Sequence, residues 1–169
     1  AIAIGYAEQG ATLALLDVNT DGAQSTRAQI EQAGGTARVY ELNVSDTDAC
    51  RTVASRVSAD MGQASVLVNS AGINRRTPFT GDREVLFEDW RNIMSVNLDG
   101  VFNVTHAFLA PLRATKGRVV NIASVQSFVH VRTPTTPAYT TSKHGVLGLT
   151  RALAAELGPE GVRVNAIGP

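Results

Sequence analysis

Three side chains at a telling spacing could move a proton onto or off an oxygen. Tyr139 and Lys143 stand four apart in Tyr139-Thr-Thr-Ser-Lys143, so on a helix the phenol and the ammonium share one face. A free tyrosine ionises only at about pH 10, too high for exchange at neutral pH. A cation one turn away favours the phenolate and brings that proton into working range. Ser124, fifteen residues before Tyr139, ends the apolar run Arg118-Val-Val-Asn-Ile-Ala123, which reads as a strand delivering a hydroxyl to a loop. Serine, tyrosine and lysine in this order can polarise a carbonyl and protonate it. Ser127 is the alternative serine; Ser124 is preferred because it directly follows the strand.

The elements that must position these groups alternate along the chain. Ala1 to Gln9 reads as a helix, and Ala11 to Leu16 as a buried parallel strand ending in Asp17. A polar helix from Asp21 to Ala33, a strand from Ala37 to Leu42 and a helix from Asp46 to Met61 follow. Ser65 to Val68 is the next strand, and a long helix is expected from Phe87 to Arg113. After the Arg118 to Ile122 strand come a helix from Ala138 to Leu157 and a strand from Val162 to Ala166. Strands alternating with helices of this length imply an α/β fold, a parallel sheet covered on both faces.

Bulk properties narrow the function classes. The 169 residues suit a single domain, 1–169, with a sizeable core. Formal charge is zero, which gives no reason to expect a nucleic-acid partner. No apolar run approaches the roughly 20 residues that span a bilayer. Cys50 is the only cysteine, so no internal disulfide can form and a cytoplasmic protein is expected. It shares a helical face with Val53 and Val57 and reads as buried filler. His106 and His144 lack metal-ligand spacing, and no metal is expected. A serine hydrolase is disfavoured: Ser124 has neither a G-x-S-x-G elbow nor a later aspartate-then-histidine pair.

Taken together, Tyr139-x-x-x-Lys143, Asn-Ile-Ala-Ser124, Asn69-Ser-Ala-Gly72, Val96-Asn97-Leu98 and Val164-Asn165-Ala166 resemble the short-chain dehydrogenases/reductases, with every motif in family order. The interval from Ser124 to Tyr139 is two residues longer than is usual there. The resemblance implies a Rossmann-like doubly wound parallel sheet and an oxidoreductase that moves a hydride between NAD and a secondary alcohol or ketone. Tyr139 would be the general acid–base, Lys143 would tune it and bind the nicotinamide ribose, and Ser124 would orient the carbonyl. Asn97 falls within the apolar stripe Trp90, Ile93, Met94, Val101, Val104 and Phe108. A buried amide needs partners, and by resemblance this one holds a water in a proton relay.

The same resemblance assigns the cofactor edge. Asp17 would accept from the adenosine 2′-hydroxyl and repel a 2′-phosphate, which favours NAD over NADP. Asn43 and Val44 would meet the adenine, although the family more often has aspartate before the valine. Asn69, Ala71, Gly72 and Pro169 would line the cofactor site, with glycine permitting close backbone approach. The stretches Ile73–Phe79 and Ile122–Phe128 look like the sugar-acid branch, such as gluconate 5-dehydrogenases. Substrate contacts are expected from Ser124, Gln126, Arg75, Arg76 and His130, an arginine holding a carboxylate. A 3-oxoacyl thioester reductase and a non-catalytic cofactor binder are the alternatives. A homodimer or homotetramer is implied, without nucleic acid or membrane.

The edges of the chain carry a further expectation. A dinucleotide fold opens with a strand and a glycine-rich turn that seats the pyrophosphate. Ala1 already reads as lying inside the helix after that turn, so the sequence is expected to be the middle of a longer enzyme, lacking a strand at each end. The Ala11–Leu16 and Ser65–Val68 strands should then not pair with each other, leaving two sheet halves or one sheet with a strand-wide hole beside Asn69.

Overall fold

The computed structural model describes residues 1–129 and 137–169. Helix α1 (Ile2–Glu8) leads into strand β1 (Thr12–Asp17), helix α2 (Thr20–Gln32) and strand β2 (Thr36–Glu41). Helix α3 (Thr47–Met61), strand β3 (Val66–Asn69) and helix α4 (Arg83–Met94) follow. A π-helical turn, Ser95–Asp99, separates α4 from α5 (Gly100–Ala107), and α6 (Leu109–Ala114) precedes strand β4 (Arg118–Ile122). Helix α7 (Pro137–Leu157) and strand β5 (Arg163–Ile167) complete the order.

Local chemistry starts the helices. Asn19 accepts from Gly22 N before α2, Asp46 from Asp48 N and Ala49 N before α3, and Asp82 from Val85 N before α4. The helix expected from Phe87 to Arg113 instead starts at Arg83 and is broken twice. At the π turn, Gly100 N bonds back to Ser95 O, one residue farther than an α-helix reaches. The second break falls at Phe108, three residues before Pro111, which has no N–H to give the preceding turn.

All strand pairs are parallel. One sheet pairs β1 with β2; the other has the order β3-β4-β5. As expected, β1 and β3 do not pair. Their inner edges explain a second difference: β1, expected to be buried, is only half-buried along Leu13 to Leu16, and Val66 of β3 is exposed. By contrast β4, paired on both sides, buries Val119 completely. One apolar cluster joins the two sheets, running from Tyr40 and Leu42 through Val57, Phe108 and Val119 to Leu157. Each such side chain contributes on the order of 1.5–3 kcal/mol when fully buried. With this core behind them, the strands' C-terminal ends bring Asp17, Asn43, Asn69 and Ser124 to one edge of the fold. That is the edge where open α/β sheets bind ligands.

Candidate functional site

Helix α7 carries the lysine and the tyrosine, and the end of β4 meets them. Lys143 is buried, its ammonium lies 5.7 Å from the centre of the Tyr139 ring, and its Nζ donates to Ile122 O at 2.7 Å. Burial holds this ammonium below its ordinary titration range. Nζ has three donors, and among the described residues only the Ile122 carbonyl takes one. Ser124 follows immediately in extended backbone, 8% exposed, and its Oγ accepts from Gln126 N at 3.2 Å. The Ser127 hydroxyl is spent elsewhere, donating to Lys143 O at 2.8 Å. Ser127 therefore locks the loop to α7, whereas the Ser124 hydroxyl hydrogen has no acceptor among the described residues.

Asn97, on the π turn, is 1% exposed and acts as a clamp. Its Oδ1 accepts from Ile73 N at 2.7 Å, while Nδ2 donates to Ile73 O at 2.9 Å and to Ser142 Oγ at 3.2 Å. Ser142 in turn donates to Tyr139 O at 2.8 Å. Both amide hydrogens are thus taken by protein, and a water could meet this side chain only at the second lone pair of Oδ1. Gly72 lies over the same spot: a Cβ there would stand 3.5 Å from Asn97 Oδ1 and 3.7 Å from Lys143 Nζ. Its bare backbone leaves room beside the ammonium.

Asn69 looks inward. Its Nδ2 donates to Thr105 Oγ1 at 3.0 Å and to Asn121 Oδ1 at 2.8 Å, and Asn121 Nδ2 donates to Thr150 Oγ1 at 2.9 Å. This buried ladder ties β3 and β4 to helices α5 and α7. Sequence reasoning missed Asn121, Thr105, Thr150 and Ser142. A signal existed for Asn121, a lone amide within an apolar strand, and for Ser142, which sits inside the Tyr139–Lys143 motif.

The adenosine-side residues are arranged differently. Asp17 is exposed at the end of β1, with Oδ1 accepting from Asn19 N at 2.9 Å and Oδ2 without a partner among the described residues. Asn43 is exposed and folds its Oδ1 onto Ser45 N and Ser45 Oγ, so only its amide hydrogens remain for a ligand. Val44 packs behind it. Ala71 is exposed beside Gly72, and Pro169 is held at the site by its carbonyl, which accepts from Val125 N at 2.8 Å.

The expected substrate residues spread out. Gln126 is 9% exposed, its Oε1 accepting from Thr140 Oγ1 at 2.8 Å, so its amide hydrogens are the part left to give. Arg75 lies across helix α4, with Nε 3.8 Å from Asp89 Oδ1. Arg76 is exposed with no carboxylate partner among the described residues. His130 lies outside the described residues. His106 is exposed and stacks on Phe102, and His144 Nδ1 meets Thr140 O. Among the described residues no group of histidine, cysteine and carboxylate side chains could hold a metal, and no helix is long and apolar enough to cross a membrane.

The donor set fits a nicotinamide dinucleotide. A buried ammonium with two hydrogens unclaimed among the described residues, beside a glycine backbone, suits a ribose diol, and the Asp17 oxygen without a partner among them suits a second diol.

Comparison with known proteins agrees with this geometry. The family model described as short chain dehydrogenase matches residues 1–169. A D-threitol dehydrogenase of Mycolicibacterium smegmatis is 38% identical over 174 residues, covering 100% of this chain and 64% of that protein. A 3-oxoacyl-acyl-carrier-protein reductase of Thermotoga maritima is 36% identical, over 97% of this chain and 65% of that protein. A crystal structure of a gluconate 5-dehydrogenase from Burkholderia cenocepacia, in complex with NADP and tartrate, superposes with a TM-score of 0.89 at 33% identity. It covers 99% of this chain and 64% of that one. The chain thus spans less than two thirds of the length of these relatives. Over the whole of its own length, it belongs to the short-chain dehydrogenase family.

Proposed function

We propose that the protein is an oxidoreductase interconverting a secondary alcohol and a ketone on a polyol, sugar or sugar acid, with a nicotinamide dinucleotide as cofactor. The observation that carries this reading is the buried Lys143 ammonium beside the Tyr139 ring, with two donors unclaimed among the described residues next to Gly72. The cofactor, when bound, supplies or accepts the hydride. Tyr139 passes the proton at the substrate oxygen, with the Lys143 ammonium beside its ring. Ser124 donates to the same oxygen and orients it. Asn97 holds the Ile73 backbone and, through Ser142, the start of α7, so that tyrosine and lysine stay in register. Lys143 would hold the nicotinamide ribose, Asp17 the adenosine ribose, and Asn43 and Val44 the adenine edge.

Substrate class rests on the relatives and on two side chains. The named relatives include a threitol and a gluconate dehydrogenase, and Gln126 offers amide hydrogens beside Ser124. Arg76, rather than the Asp89-facing Arg75, is the cation available to a substrate carboxylate. A 3-oxoacyl thioester reductase is the second reading, favoured by the Thermotoga maritima relative. On the cofactor, the NADP in the gluconate 5-dehydrogenase crystal weighs toward the phosphorylated form. The open carboxylate oxygen of Asp17 weighs toward NAD, and we take it as deciding. For assembly, the exposed Phe87, Trp90 and Phe102 of α4 and α5 are the surface we assign to a second copy in a dimer or tetramer. Cytoplasmic placement belongs to the same proposal.

The test is nicotinamide absorbance with the full-length protein, a panel of polyols and sugar acids, and both cofactors. Turnover of a polyol or sugar acid with NAD, and a narrowed NAD preference in Asp17→Ala, are expected. Turnover of acetoacetyl thioesters alone would transfer the assignment to the second reading. Equal affinity for NAD and NADP in the parent would remove the role given to Asp17.

A further inference from the structure

Asn103 has no part in the roles above, yet it is 9% exposed and both ends of its carboxamide are engaged. Nδ2 donates to Val44 O at 3.1 Å, and Oδ1 accepts from Thr47 Oγ1 at 3.3 Å. These partners lie more than fifty residues away in sequence, at the turn between β2 and α3. One helical turn earlier, Gly100 takes the Val44 side chain against its backbone. A Cβ there would fall 2.6 Å from Val44 Cγ2 and 3.1 Å from Val44 Cβ, so any larger residue must push the turn outward. Glycine and amide together make a seat that fixes both the side chain and the carbonyl of Val44. The seated turn stands at the same C-terminal sheet edge as Asp17, which is joined to it by the Leu42 N to Asp17 O bond of 3.1 Å.

We infer that Asn103 is a positioning residue for the adenosine end of the cofactor site, acting through Val44, with Gly100 as its steric counterpart. The inference rests on the reading of Asn43 and Val44 as the adenine edge. It assigns two tasks to one stretch of helix. From the π turn, Asn97 clamps the Ile73 backbone at the nicotinamide end; from α5, Asn103 clamps the Val44 backbone at the adenosine end. The six-residue step from Asn97 to Asn103 places both clamps on rigid helix, which sets the span between the two ends of a dinucleotide.

The test compares ligand binding with turnover in the full-length protein. Asn103→Leu removes both bonds at similar volume, and Gly100→Ala displaces Val44 without touching an amide. Dissociation constants for NADH and ADP-ribose are measured by calorimetry, alongside kcat at saturating cofactor. Loss of one hydrogen bond of ordinary strength corresponds to roughly three- to tenfold in affinity. Both variants should weaken NADH and ADP-ribose together by about that factor, with kcat within about twofold of the parent. In Gly100→Ala, adding Val44→Ala should recover part of the affinity, because the 2.6 Å contact with Cγ2 goes and only the 3.1 Å contact with Cβ is left. Unchanged ADP-ribose affinity in both variants would overturn the inference, as would a fall in kcat at parental affinity. A parent protein that binds neither ligand would remove the cofactor reading itself, and this inference with it.

Discussion

The two halves of the ligand edge hold their polar groups in opposite ways. Around β3, β4 and α7 the important side chains are buried and bonded to partners distant in sequence: Asn69 to Asn121, Asn121 to Thr150, Asn97 to Ile73 and Ser142. Around β1 and β2 they are exposed and bonded to residues two positions on: Asp17 to Asn19, Asn43 to Ser45. Proton transfer needs reacting groups fixed to within tenths of an ångström, and a buried network supplies that rigidity. Gripping a ribose or an adenine edge asks only for a carboxylate or an amide at a turn. Under the proposed function, the buried polar groups stand at the proton-transfer end and the local, exposed ones at the adenosine end. Asn103 is the exception, a buried amide that serves the exposed half.

Breaking the chemical end should cost most in rate. Tyr139→Phe keeps the ring and removes the transferable proton, so turnover should fall by roughly 10²–10⁴-fold while calorimetric NADH binding survives. Near-parental turnover would take the proton-transfer role away from Tyr139.

Stability sharpens the contrast next. Asn121→Leu takes one of two partners from the Asn69 amide and leaves the Thr150 hydroxyl only its bond to Val146 O, and should lower unfolding free energy by roughly 1–3 kcal/mol in urea. Asn43→Ala opens a solvated turn and should change it by less than about 0.5 kcal/mol. Equal losses at the two positions would erase the distinction between buried and local anchoring.

The smallest effect is a slope. Burial lowers the Lys143 pKa in the folded chain, whereas the unfolded lysine titrates at about 10.4. Between those values the unfolded state binds more protons, so this group makes stability rise with pH through that window. Tyr40, raised by burial and its bond to Asp60, and Cys50, raised by burial and Asp46, pull the other way as pH passes their ordinary ranges. Lys143→Met leaves both of those in place. The stability difference between parent and Lys143→Met should therefore shift in the parent's favour from pH 7 to about pH 10. A flat difference would mean that the folded protein does not disfavour the ammonium.

What could be read from the sequence was whatever depends on near neighbours. The alternation of strands and helices and the stacking of Tyr139 over Lys143 follow from local periodicity and a spacing of four residues. Element ends were legible to within a residue or two for most strands and helices. The long helix was misjudged because the missing N–H of Pro111 and the π turn at Asn97 act against an otherwise continuous apolar stripe. The tertiary structure alone decided which polar residues meet. The bond from Asn97 to Ile73 crosses 24 residues, that from Asn69 to Asn121 crosses 52, and that from Asn103 to Val44 crosses 59. Such pairs form because β4 lies beside β3, because α5 and α7 pack on that sheet, and because α5 also meets the turn between β2 and α3. Those contacts gave Asn97 the Ile73 backbone as its partner, tied the Ser127 hydroxyl to α7, and placed Arg75 beside Asp89. Hydrogen-bonding capacity is written in the residue type; the partner that uses it is set by which strands lie side by side.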